Sequence, residues 1–265
     1  MLYSAKELKL TASGMQFDYI RFGSGKKPLI MIQGLNTRGI KGAALSLAYM
    51  YRIFAKEYTV YLFDRRPVVC DGITVRDMAA DIASAMDALG LRNADVFGTS
   101  QGGMIAQYLA IDRPDLVRKL VLAVTLSRNN DTVKQVVGDW IEMAERGDMK
   151  RFVLDMAEKM YSETYVRKYR PLMPLLTILQ KPKDVKRFVI LAKSCLSCDT
   201  YDILDKIKCP TLVIGGKQDK VVSGVASEEI AEKLGCALHM YENLGHAVYE
   251  EAQDFNQMVY DFLSE

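Results

Sequence analysis

Histidine is nearly absent from this chain, with His239 and His246 the two among 265 residues. Cysteine is scarce and odd in number: Cys70, Cys195, Cys198, Cys209 and Cys236. A scattered, odd set does not build a disulfide framework. Cys195-x-x-Cys198 has metal-ligand spacing. There is no second such pair, however, and two histidines do not readily complete a four-ligand zinc site. The thiols are therefore expected to be reduced and structural, with no metal and no cofactor. Long apolar runs are missing too, since none approaches the roughly 18 residues of a membrane span. Met1 to Gly14 carries Lys6, Glu7 and Lys9 and has no apolar signal core. A cytoplasmic protein that needs no membrane is expected. Charge of one sign is not in excess either. Lys and Arg number 35 against 33 Asp and Glu, for a net charge of +2, which gives no support to a nucleic-acid partner. Gly23-Ser24-Gly25-Lys26 resembles a fragment of a phosphate loop but lacks its spacing. Pro28 and a strand follow, so it reads as a turn.

What is present is material for a large core, with hydrophobic residues at 49%. Leu8 to Ala12 and Met15 to Phe22 read as two strands joined by a tight turn at Ser13-Gly14. The apolar runs Leu29 to Ile32, Tyr58 to Phe63, Ala94 to Phe97, Arg118 to Thr125 and Thr211 to Ile214 read as buried parallel strands. A further strand, Ala237 to Tyr241, comes late. Helical spacing alternates with the strands, over Ala43 to Lys56, Val75 to Leu89, Met104 to Ala110, Gly224 to Leu234 and Val248 to Leu263. Between Arg128 and about Thr200 buried-strand runs stop. Asp131 to Arg146, Met149 to Met160, Ser162 to Tyr169 and Lys183 to Ser194 read as helices. Alternating strands and helices build a mostly parallel sheet covered on both faces. A helical insertion between two late strands is most simply a cap over their C-terminal edge, where such sheets bind ligands. The expected division is a core of residues 1–127 and 201–265 with a helical cap of 128–200.

The stretch Val96-Phe97-Gly98-Thr99-Ser100-Gln101-Gly102-Gly103 stands where a strand turns sharply into a helix. Gly98-x-Ser100-x-Gly102 is the nucleophile-elbow pattern. Small residues two before and two after the Ser accommodate the crowded backbone. The hydroxyl is then left at a helix N-terminus, where N–H groups favour a developing oxyanion. Such spacing recurs by chance in about one chain in ten of this length, so an ordinary Gly-rich turn is the competing reading. Two downstream residues weigh against it. A Ser hydroxyl needs a base, and His246 sits in a loop after the last strand, at the same sheet edge. His239 lies within a strand pattern, where it would face a helix layer or solvent. The base needs an orienting acid. Asp219 follows the strand Thr211 to Ile214 on that edge, although an Asp there also suits a turn or an N-cap.

With the order Ser100, Asp219, His246, the chain resembles the α/β-hydrolase-fold superfamily over essentially its whole length. Gly98-Thr99-Ser100-Gln101-Gly102-Gly103, Pro210 to Asp219 and Gly245-His246 carry the resemblance, with Pro114 to Leu122 in support. It implies an α/β fold: an eight-stranded, mostly parallel, twisted sheet with helices on both faces and a helical cap insertion. It implies Ser100 as nucleophile, Asp219 as acid and His246 as base, with an oxyanion hole from the backbone N–H groups of Gln101 and Leu35. Members with an aspartate nucleophile are disfavoured by Ser100. Gly102-Gly103-Met104-Ile105-Ala106-Gln107 resembles the small-metabolite branch that includes enol-lactonases and C–C hydrolases.

Two departures stand out. The usual His-Gly after the first central parallel strand is here Gln33-Gly34, and Gln can still hydrogen-bond the loop. The usual Asp-x-Arg-Gly after the next strand is here Asp64-Arg65-Arg66-Pro67, so the loop to Gly72 is expected to reshape the pocket rim. In the insertion, Trp140, Met143, Met160 and Met173 are among the Met and aromatic residues that suit an adaptable apolar pocket, with plain cap core as the competing reading. The dense Lys and Arg between Arg167 and Lys193 read as a solvated helix face, with attraction of an anionic substrate as the competing reading. The expected function is hydrolysis of a small carboxylic ester, lactone or thioester through an acyl-enzyme. C–C bond hydrolysis or a cofactor-free perhydrolase reaction on the same triad is the first alternative, and a ligand-binding protein with a vestigial triad the second. The expected partner is a small molecule, and the chain a monomer or homodimer.

Overall fold

The structure is a computed structural model that describes residues 2–172, 175 and 182–265. Its frame is one eight-stranded sheet in the order β1-β2-β4-β3-β5-β6-β7-β8. The strands are β1 Lys6–Ala12, β2 Met15–Phe22, β3 Lys27–Ile32, β4 Tyr58–Phe63, β5 Ala94–Thr99, β6 Val117–Ala123, β7 Thr211–Gly216 and β8 Ala237–Tyr241. β2 is antiparallel to both β1 and β4, and all other pairs are parallel. β5 and β7 are buried along their whole length. A strand covered on both faces offers no side to water, so its side chains are mainly apolar, and the buried Asp95 of β5 is paired with Arg118 at 2.6 Å. The β1–β2 hairpin turns at Ser13-Gly14, both at positive φ, the conformation that matches the twist of paired strands.

Helices cover the two faces. α2 (Val75–Ala88) and α3 (Gln101–Asp112) pack on one side and α1 (Ala44–Met50) on the other, forming two core clusters separated by the sheet. α2 begins with a capping box in which Thr74 and Asp77 satisfy each other's backbone N–H groups.

Two expected helices are interrupted. The segment expected as one helix from Ala43 to Lys56 is α1 followed by a 3₁₀ turn, Arg52–Lys56. The N–H of Phe54 donates to the Tyr51 carbonyl at 3.1 Å. This tightening brings the buried Tyr51 and Phe54 rings together, centroids 6.5 Å apart, with Tyr51 edge-on to Phe97. The closing helix breaks at an extended Ala252 into Val248–Glu251 and Phe255–Ser264. Phe255 then reaches Phe97 from the next turn, with ring centroids 5.8 Å apart.

Between β6 and β7 lie α4 (Asp131–Glu145), α5 (Met149–Met160), α6 (Glu163–Tyr169) and α7 (Val185–Cys195). Each opens on a side-chain N-cap: Asn130, Asp148, Ser162 and Asp184 accept from the N–H three residues on. The Trp140 indole N–H donates to Asp155 at 2.8 Å, joining α4 to α5. Phe152 and Phe188 meet edge to face at 5.0 Å, joining α5 to α7. The segment rests on the sheet's C-terminal edge. The Ala247 N–H donates to the Met160 carbonyl, and Ser162 donates through both N–H and Oγ to Glu251.

Arg187 departs from the expected solvated face. Its guanidinium donates to the main-chain carbonyls of Arg65, Arg66 and Pro67 and so pins α7 to the loop after β4. No helix among the described residues is long and apolar enough to cross a membrane.

Candidate active site

Ser100 occupies the turn between β5 and α3 with φ 54° and ψ −121°. A non-glycine residue rarely holds a positive φ, and its surroundings enforce it here. A side chain at Gly102 would overlap the Ile32 carbonyl, and one at Gly98 would run into the Gly102 backbone. The Ser100 N–H donates to the Ala123 carbonyl at 2.9 Å, and Thr125 Oγ donates to the Ser100 carbonyl at 2.8 Å. The turn is thus clamped between β3 and β6.

His246 lies in the loop between β8 and Val248–Glu251 and is 3% exposed. Its Nε2 is 2.9 Å from Ser100 Oγ, and its Nδ1 is 2.7 Å from Asp219 Oδ2. The protons follow from the partners. A carboxylate only accepts, so Nδ1–H donates to Asp219, and Nε2 is left to accept from the Ser100 hydroxyl.

Asp219 also fills the turn role that competes for it in the sequence. Its Oδ1 accepts from the N–H groups of Val221 at 2.7 Å and Val222 at 3.0 Å, while Oδ2 faces the imidazole. The backbone thereby fixes the carboxylate that orients the histidine. His239 stays in β8, its ring edge-on to Tyr241, and takes no part in this chain of hydrogen bonds.

The two segments expected to supply oxyanion N–H groups also converge. Gln101 is the first residue of α3, so its N–H is one of the amides a helix leaves without an internal partner. Gly34, beside Leu35, lies so close that a Cβ on it would sit 3.2 Å from Ser100 Cβ.

A buried guanidinium ties both segments together, and sequence reasoning did not find it. Arg65 donates from Nη2 to the Gln33 carbonyl, and from Nε and Nη2 to Gln101 Oε1 at 3.3 and 3.2 Å. Gln101 Nε2 in turn donates to the Leu191 carbonyl of α7 at 2.7 Å. Burial pulls the Arg65 guanidinium down to about 10, so it remains charged at neutral pH. The available signal was the second Arg in Asp64-Arg65-Arg66-Pro67. Arg66 occupies the family's Arg position and forms a bidentate pair with the buried Asp81. Arg65 turns inward instead.

A cavity of about 320 Å³ opens beside the serine. Gly34 and Thr99, which flank Ser100, line it from the sheet edge, and Met156, Met160 and Tyr161 line it from α5 and its end. Of the side chains expected in the pocket, Met160 lines this cavity, and two others lie elsewhere. Trp140 is 4% exposed and spends its N–H on Asp155, because its face of α4 packs against α5. Met143 borders a polar recess with Glu142, Arg146 and Arg151 instead. Met173 lies outside the described residues. Cys195 and Cys198 are buried, and burial pushes the Cys195 thiol up to about 11, which disfavours the thiolate needed for reactivity. Among the described residues no group of three or more His, Cys, Asp and Glu could hold a metal ion.

A strained serine at a strand-to-helix turn, backed by histidine and aspartate from later edge loops of a mostly parallel sheet, defines a class. The model of the alpha/beta hydrolase fold family matches residues 27–253, and the chain belongs to that family.

Its relatives include the 2-hydroxy-6-oxononadienedioate/2-hydroxy-6-oxononatrienedioate hydrolase of Paraburkholderia xenovorans (strain LB400). That protein is 27% identical, with 94% of this chain and 91% of the relative covered. The 2-hydroxymuconate semialdehyde hydrolase of Pseudomonas sp. (strain CF600) is 28% identical over 97% of this chain and 93% of its own. Among solved structures, the enol-lactonase from Burkholderia xenovorans LB400 superposes with a TM-score of 0.84 at 20% identity, covering 97% of this chain and 100% of that one.

Proposed function

We propose that this alpha/beta hydrolase cleaves a small carboxylic ester through an acyl-enzyme on Ser100. The observation that carries the proposal is the unbroken chain from Ser100 Oγ through His246 to Asp219, at 2.9 and 2.7 Å. His246 Nε2 takes the hydroxyl proton as Ser100 Oγ attacks the ester carbonyl. The oxyanion that forms meets the N–H groups of Gln101 and Leu35, and Asp219 stabilises the imidazolium. The imidazolium then protonates the departing alcohol. His246 next takes a proton from a water as that water attacks the acyl carbonyl, and the imidazolium then protonates Ser100 Oγ as the acyl–oxygen bond breaks and the acid leaves. Residues 128–200 serve as the lid, and the cavity under α5 takes the acyl chain. At about 320 Å³ it stands near the lower end of the roughly 300–1,000 Å³ usual for small-molecule sites, which suits a short to medium chain.

The names of the relatives favour a second reading, hydrolysis of a C–C bond in an oxo-dienoate on the same three residues. A turnover panel decides between the two. It would contain p-nitrophenyl esters from acetate to decanoate, an enol-lactone, an acyl thioester and a 2-hydroxy-6-oxo-dienoate. Ester turnover peaking at short to medium chains is expected, with kcat/KM at least a hundredfold above that for the dienoate. The reverse order would replace the ester by the C–C substrate. No turnover of any member would favour a binding protein.

A further inference from the structure

The cavity beside Ser100 is apolar over much of its wall, with Leu35, Leu47, Met50, Met156 and Met160 among its lining residues. One charged side chain interrupts it among the described residues that line it: Glu250, at the end of the short helix after His246. Tyr161 Oη donates to Glu250 Oε2 at 2.6 Å. A carboxylate accepts about four hydrogen bonds, so one phenol does not saturate it. Glu250 is an exposed residue on the cavity rim, so its carboxylate can be reached by a ligand in the cavity.

Glu250 is not required to hold the lid. Its neighbour Glu251 accepts from both the N–H and the Oγ of Ser162, and the Ala247 N–H donates to the Met160 carbonyl. Among the described residues that line the cavity no cation faces this carboxylate, so a ligand that supplies a donor or a positive charge can pair with it.

We propose that Glu250 is a specificity-determining residue. It selects esters whose end remote from the scissile bond carries a primary amine or another hydrogen-bond donor, and it rejects those ending in a carboxylate. The inference rests on Ser100 and this cavity being the site of ester cleavage. It separates the chain from its relative named for a dienedioate, a compound with two carboxylates. Like charges a few ångströms apart repel even near the surface, so a second carboxylate beside Glu250 is disfavoured. An ammonium there is attracted by the same field.

Three p-nitrophenyl esters of matched length test this: 6-aminohexanoate, hexanoate and the adipate half-ester. For the wild type at pH 7.5, kcat/KM for the amino ester should exceed that for the adipate ester by at least tenfold, after correction for their reactivity towards hydroxide. Glu250→Gln should shrink that ratio at least tenfold. A purely structural role would lower all three esters alike and leave the ratio untouched. If the variant does not fold, inhibition of the wild type decides instead. n-Hexylamine should inhibit hexanoate ester cleavage at least tenfold more tightly than hexanoate does. Amino and adipate ratios within threefold of each other, or tighter inhibition by hexanoate, would overturn the inference while leaving ester cleavage standing. Failure to turn over any of the three would overturn the ester reading and this inference with it.

Discussion

Ser100→Ala should lower kcat on the best ester by about 10⁶-fold, the scale of nucleophile removal in other serine hydrolases, or about 8 kcal/mol of barrier. Ser100 sits at the tightest point of the β5–α3 turn, and alanine preserves everything that shapes that turn. The turn's hydrogen bonds use the Ser100 N–H and carbonyl, not its hydroxyl. Folding should therefore change little, with Tm moving by only a few degrees. KM should stay close to wild type, because the cavity walls and the Gln101 and Leu35 amides are untouched. Steady-state kinetics beside a thermal melt checks all three. Residual activity above about one per cent, with the fold intact, would mean that another group attacks the carbonyl.

Asp219→Asn should cost about 10⁴-fold in kcat, near 5.5 kcal/mol of barrier. Two backbone N–H groups, of Val221 and Val222, point at Oδ1. In the variant they hold the amide oxygen there, which turns the amide NH₂ towards His246 Nδ1. A donor now faces the nitrogen that had been donating. The imidazole answers by moving its proton to Nε2, where it can no longer accept from Ser100. The base is disabled by tautomer with its position almost unchanged. The loss should fall in kcat with little change in KM. A loss under about tenfold would show that Asp219 serves only its turn.

These three residues were legible because each stands on a loop that the strand grammar placed at one edge. The runs Leu29 to Ile32 and Thr211 to Ile214 have no polar side to offer water, so they could only be central strands, and parallel strands share one C-terminal edge. The Arg65 network was not legible. It joins residues 36 and 90 positions apart through side chains, and no local period records such a meeting. The pocket residues failed for a related reason. Helical spacing says that Trp140 and Met160 both lie on apolar faces but not which neighbour each face meets. Trp140 meets α5, and Met160 reaches the cavity. The break at Tyr51 was equally hidden, since Ala43 to Lys56 has helical spacing throughout. Only the aromatic contacts of Tyr51 and Phe54 show why the helix tightens.

The most direct test of Ser100 as an activated nucleophile is covalent. The folded protein is incubated with an alkyl fluorophosphonate and its mass is read intact and after proteolysis. One adduct per chain is expected, on the peptide carrying Ser100. Labelling should be absent in Ser100→Ala and slowed at least a thousandfold in His246→Ala, which lacks the base at 2.9 Å. A wild-type protein that takes no label, or takes it on a residue other than Ser100, would contradict this assignment.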